Sequence, residues 1–165
     1  IVTYNGSLSY SITPNAGYVI SDVLVDGISV GAVSSYAFTN VQGAHTIDAS
    51  FSIISYSITA SAGSGGNISP SGISSVTHGG GISYSITPDA GYAIADVLVD
   101  GVSVGAVGSY TFTNVQANHT IDASFSIIAY SISASAGTGG NISPSGVSSV
   151  DYGNSLTYTI TPNTG

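Results

Sequence analysis

The chain has 165 residues with no Lys, Arg, Cys, Met, Trp or Glu, and its eight Asp give a formal charge of −8 at neutral pH. Without basic side chains it has nothing to neutralise phosphates, which excludes nucleic acid and anionic membrane surfaces as partners. The missing Cys excludes disulfides and thiolate metal sites, and no run of about 18 apolar residues is present to span a bilayer. Yet 42% of residues are apolar, too many for a disordered chain, so the chain is expected to fold. Apolar burial and backbone hydrogen bonds must hold it, because only His and the amino terminus can pair with Asp.

Leu8, Tyr10 and Ile12 alternate with Ser and Thr, which predicts a half-buried strand ended by Pro14. Residues 16–25 are the best helical rival, but their Val and Ile content favours a strand. "VLVDGISV" (23–30) predicts a hairpin with Asp26-Gly27 as a two-residue primed turn. That register sets Val25 against Ile28, Val23 against Val30, and Leu24 with Ser29 on the other face. "SYAFTNV" (35–41) predicts a strand with Tyr36 and Phe38 on one face. "HTIDASFSI" (45–53) predicts another, with Ile47, Ala49, Phe51 and Ile53 inward. The large residues then move to even numbers, at Ile54, Tyr56 and Ile58, and "AGSGGNISPSG" (62–72) reads as turns with a short strand at most.

All of this recurs. "YSITPNAGYVISDVLVDG" starts at Tyr10, "YSITPDAGYAIADVLVDG" at Tyr84 and "YTITPNTG" at Tyr158, each 74 residues after the last. Between 10–74 and 84–148 only 12 of 65 positions differ, and the changes preserve pattern and volume. This is a tandem repeat. The odd-to-even slip falls at 53/54 and again at 127/128, and it reverses the face of every later side chain. A strand leaving one core for the next needs such a slip, so it is read as a module boundary, with a β-bulge inside one domain as the alternative. The expected organisation is the C-terminal part of one module (1–53), a complete module (54–127) and the N-terminal part of another (128–165). Both ends then fall inside a module, and the expectation is a window on a longer covalent array. Head-to-tail strand exchange between chains is the rival; it must contend with two copies of the segment 1–17. In the complete module Tyr84, Ile86, Val97, Val99, Val102, Val104, Tyr110, Phe112, Ile121 and Phe125 are expected to be buried, and Leu98 less so than Val97 and Val99.

The string T-P-x-A-G-Y, then I-x-D-V-L-V-D-G, Y-x-F-x-N-V and H-T-I-x-A-S-F, resembles the divergent internalin-type B-repeat family of secreted and surface-anchored bacterial proteins. The resemblance implies an all-β chain of small β-sandwich or β-grasp-like modules of 74 residues, placed end to end. It also implies an extracellular or cell-surface location and a stalk, spacer or adhesive role, and it brings no catalytic residues.

Candidate sites are sparse. Asp22 and Asp26 lie on one strand face, repeated as Asp96 and Asp100, and are weak candidates for Ca²⁺, which needs several oxygens at close range. Asp26 and Asp100 already serve an Asp-Gly turn, so solvated or turn-forming roles compete. His45 and His119 are expected to be partnered or superficial; His78 aligns with Tyr4 and Tyr152, so no repeated chemistry depends on it. No G-x-S-x-G elbow accompanies the many Ser residues, and a repeat would duplicate any active site, so the chain is expected not to be an enzyme and to need no cofactor. Asn5, Asn67, Asn118 and Asn141 stand in N-x-S/T sequons at a frequency composition explains. Tyr18 and Tyr92 read as core plugs or as exposed sugar platforms. The expected function is structural: a segment of a bacterial extracellular fibre or surface stalk whose partners are further copies of the same module. An adhesin-type module recognising polysaccharide or a host surface is the alternative.

Overall fold

The computed structural model describes residues 2–164, and among them every regular element is a strand. The cause is local: Val, Ile, Thr and Tyr alternate with Ser over short runs, and Gly, Pro, Asn or Asp closes each run. The strands are β1 (Leu8–Ser11), β2 (Tyr18–Val25), β3 (Ile28–Ser29), β4 (Ser35–Phe38), β5 (Ile47–Ile53), β6 (Ser55–Ala62), β7 (Gly66–Ser69), β8 (Gly72–Thr77) and β9 (Ile82–Pro88). They continue with β10 (Tyr92–Val99), β11 (Val102–Gly105), β12 (Ser109–Phe112), β13 (His119–Ile127), β14 (Ala129–Ala134), β15 (Gly140–Ser143), β16 (Gly146–Asp151) and β17 (Thr159–Pro162). The parity slip has a simple form. One residue, Ile54, separates β5 from β6, and one residue, Ile128, separates β13 from β14.

The chain divides into two compact units. The first comprises Ile1–Ser57, Ser75–Ile82 and Phe112–Asn118. In it β1 pairs antiparallel with β4, Leu8 opposite Phe38, and β2 is the middle strand of the sheet β3-β2-β5. Asp26 and Gly27 both have positive φ, 51° and 78°, as a type I′ turn requires. The resulting pairs, Leu24 with Ser29 and Val25 with Ile28, are the predicted ones. Val23 is fully buried.

The second unit comprises Ile58–Ser74, Ser83–Thr111 and His119–Gly165. Its main sheet runs β11-β10-β13-β6-β8, and β13 lies parallel to β6 with Ile121 opposite Ala60. A second sheet runs β12-β9-β7, with Ile68 opposite Ile86, and the pairs β14-β16 and β15-β17 follow. Ile58, Tyr84, Val97 and Ile121 are fully buried, each contributing roughly 1.5–3 kcal/mol by removal from water.

Two predicted core residues are corrected here. Val102 is 68% exposed and Val104 36%, because β11 is an edge strand with a bulge. Leu98 pairs with Ser103, but Val97 pairs with Gly105, so Val104 is the extra residue and loses its inward direction. Gly105, at φ 84°, supplies the left-handed backbone at that bulge. Leu98 and Val99 are half-buried alike, and Val97 alone is sealed.

Equivalent residues of the two copies differ in burial. Tyr84 is 1% exposed, whereas Tyr10 is 43% exposed. The difference follows from pairing: β9 has a strand on each side, β12 and β7, whereas β1 has only β4.

Candidate functional site

Beside each Asp-Gly turn sits a carboxylate–imidazole clasp. In the first unit Asp26 Oδ1 accepts the Thr46 N–H at 2.8 Å, and Oδ2 lies 2.7 Å from His45 Nδ1. An ionised carboxylate only accepts, so Nδ1 carries the proton in this contact. In the second unit Asp100 repeats the clasp, with the Thr120 N–H at 2.9 Å and His119 Nδ1 at 2.7 Å. The turn at φ 51° aims each carboxylate across to the beginning of β5 or β13. His45 and His119 are therefore partnered residues.

The hydrogen bond from His45, then that from Thr46 N–H, holds the Asp26 carboxyl below its usual value of 3.8. For Asp100 the Thr120 N–H leads, followed by His119. A carboxyl lowered in the folded state stabilises the fold above its unfolded value and loses that contribution as pH falls through the folded one. The expected result is a loss of stability on acidification below about pH 4, small because both groups are exposed. Urea unfolding of Asp100→Asn, followed by circular dichroism across pH 2–6, should show a flatter acid limb than the parent; identical limbs would exclude this contribution.

The other two metal candidates are held differently. Asp22 Oδ1 accepts the Val23 N–H at 2.8 Å and the Ser29 hydroxyl at 2.6 Å. Asp96 does the same with Val97 N–H at 2.8 Å and Ser103 at 2.6 Å. Asp22 and Asp26 thus serve separate partners, as do Asp96 and Asp100. Among the described residues no three His or Asp side chains gather to hold a cation.

A second recurring feature was not legible in the sequence: aromatic rings seated on glycines. In the first unit Ile54 N–H donates to the Gly17 carbonyl and His78 N–H to the Ile54 carbonyl, both at 2.8 Å. Gly17 has φ 81°, and a Cβ there would fall inside the His78 ring. In the second unit Ile128 N–H donates to Gly91 O and Tyr152 N–H to Ile128 O, again at 2.8 Å, and a Cβ on Gly91 would fall inside the Tyr152 ring. Position 78 does therefore carry a repeated role, as an aromatic plug. The second unit holds two more seats, Tyr92 on Gly65 and Phe125 on Gly66. Tyr92 is half-buried there, whereas Tyr18 stays 43% exposed.

Among the described residues no helix is long and apolar enough to cross a membrane. No curated protein and no solved structure matches the chain. Residues 56–129, which include "TPDAGY" (87–92) and "DVLVDG" (96–101), match the family model of the divergent InlB B-repeat domain.

Proposed function

We propose that the chain is a repeat segment of a bacterial extracellular fibre or surface stalk, made of 74-residue all-β modules joined end to end at 53/54 and 127/128. Surface location rests on the family, whose domains are typical of bacterial surface proteins. One observation carries the structural reading: the joint itself repeats. Ile54, Gly17 and His78 make the same two backbone hydrogen bonds and the same ring seat as Ile128, Gly91 and Tyr152. A single residue between strands leaves no slack, so each joint resists bending. A near-identical repeat suits a spacer, whereas a receptor site gains from divergence. Electron microscopy of native material should show thin filaments with a regular axial repeat. Globular particles, together with saturable binding of a single module in a polysaccharide screen, would favour the adhesin reading instead.

The charge pattern adds an expected result. Eight Asp and no basic side chain keep parallel filaments apart at neutral pH through like-charge repulsion. Light scattering should rise when Ca²⁺ is added or when pH falls from about 7 to 4, to the upper edge of the Asp range. Scattering indifferent to both would remove charge as the spacing force.

A further inference from the structure

β6 and β13 stand at the two ends of the sequence repeat that runs from 54 to 127, and they are neighbours in one sheet. They lie parallel, from His119 opposite Ile58 to Ala123 opposite Ala62. Just past that ladder the Gly63 N–H donates to the Ala123 carbonyl at 2.9 Å, and across it the Ser61 hydroxyl donates to the Asp122 carboxylate. On the core face Ile58 and Ile121 are fully buried, and Ala60 and Ala123 are nearly so. That face keeps water from the ladder, so a bond broken there is not at once replaced by one to solvent. Neither strand is an edge: β10 flanks β13, and β8 flanks β6.

Direction decides how such a ladder fails under tension. The chain enters β6 at its N-terminal end, after Ile54, and leaves β13 at its C-terminal end, before Ile128. In a parallel pair these two points lie at opposite ends of the ladder. A pull along the chain therefore draws the strands past one another, and the bonds between them are loaded together. In an antiparallel pair the same two points would lie side by side, and the bonds would break one at a time. Residues 63–118 lie between the two strands in sequence and carry no tension while the ladder holds.

We infer that the β6–β13 ladder is a mechanical clamp, the element that bears tension passed along the chain and sets the force at which the repeat opens. The tension comes from the stalk or fibre role, on which this inference rests, but the strength of the clamp is a property of the chain alone. The joints feed it directly. Single residues, Ile54 and Ile128, separate the loaded strands from the strands next to them in sequence, and so short a link has no slack to take up a pull. Parallel pairing needs a long connection and is slightly weaker per residue than antiparallel pairing, so stability alone does not favour it here. Resistance to a pull at both ends does.

The chain has no Cys, so paired thiols fix the points of pull, and Ser55, Ala117 and Ser126 are exposed places for them. Handles on Ser55→Cys/Ser126→Cys draw the two strands past one another. Handles on Ser55→Cys/Ala117→Cys pull at the two N-terminal ends and peel the same ladder open. Neither double variant removes a residue of the ladder, so both should share the parent's urea midpoint. In single-molecule force spectroscopy of the full chain at one loading rate, the first pair should need at least about twice the force of the second. Several bonds must then give together, and forced opening is set by the barrier to unfolding. The first pair should also open in one step that releases all the chain between the handles. Should Ser126→Cys shift the midpoint, Ala129→Cys, exposed just beyond the joint, applies the same pull. Equal forces in the two directions, a stronger second direction, or an interior segment released before the rest would each overturn the inference. None of these outcomes touches the filament reading, and globular native particles, which would overturn that reading, leave the force ratio unchanged.

Discussion

Replacing Tyr84 by alanine should lower the unfolding free energy by about 3–5 kcal/mol, the range for deleting a large buried ring, whereas Tyr10→Ala should cost about 1 kcal/mol. The two residues occupy the same place in the repeat and begin the same words, "YSITP", so local propensity cancels from the comparison. Burial differs: 1% exposed against 43%. What separates them is β7, which flanks β9 through Ile68 opposite Ile86 and has no counterpart beside β1. Urea unfolding of dilute protein, followed by circular dichroism, measures both. Equal costs would mean that the second sheet adds nothing to the core.

The hairpin was legible because its turn has a chemical signature. Asp-Gly supplies two left-handed residues in succession, and the flanking apolar positions agree on one register. The bulge beyond it was hidden because Val30 and Val104 have the parity that a regular strand would give them. The one available sign was the glycine after each, since a Gly inside a strand run often marks a bulge. β8 escaped for a related reason: its inward positions are Ser74 and Val76, and its largest residue, Ile73, points to solvent. Alternation fails when a small polar residue takes a half-buried place.

The site features were harder to read the farther apart their partners lie and the more their chemistry changes between copies. The clasp joins Asp26 to His45, 19 residues apart, and Asp100 to His119 at the same spacing. That doubled spacing was present in the sequence, but the turn role of Asp concealed the pairing. The ring seats join Gly17 to His78 and Gly91 to Tyr152, and one partner has no side chain to read. The plug is His at position 78 and Tyr at position 152, so constancy of chemistry was no guide to it.

The largest backbone effect is expected at those seats. Gly91→Ala should cost about 2–4 kcal/mol: roughly 1–2 for forcing a Cβ into left-handed backbone, and about 1–2 for the overlap. Its φ is 83°, and the added methyl would fall inside the Tyr152 ring. Gly101→Ala separates the two contributions, because Gly101 has φ 79° and nothing within 4 Å of its Cβ, so only the first applies. Tyr152 is 49% exposed and can swing into solvent, which relieves the overlap but unseats the ring from the Ile128 joint. A double-mutant cycle reads this directly. With Tyr152→Ala in the background, Gly91→Ala should fall back to about 1–2 kcal/mol, so the pair costs less than the sum by about 1–2 kcal/mol. Gly101→Ala with Tyr152→Ala should instead be additive within about 0.5 kcal/mol. Urea titrations of the five variants and the parent supply every term. If the Gly91 cycle also closes within that margin, the ring does not bear on the glycine, and the joint between strands β13 and β14 rests on its two backbone hydrogen bonds alone.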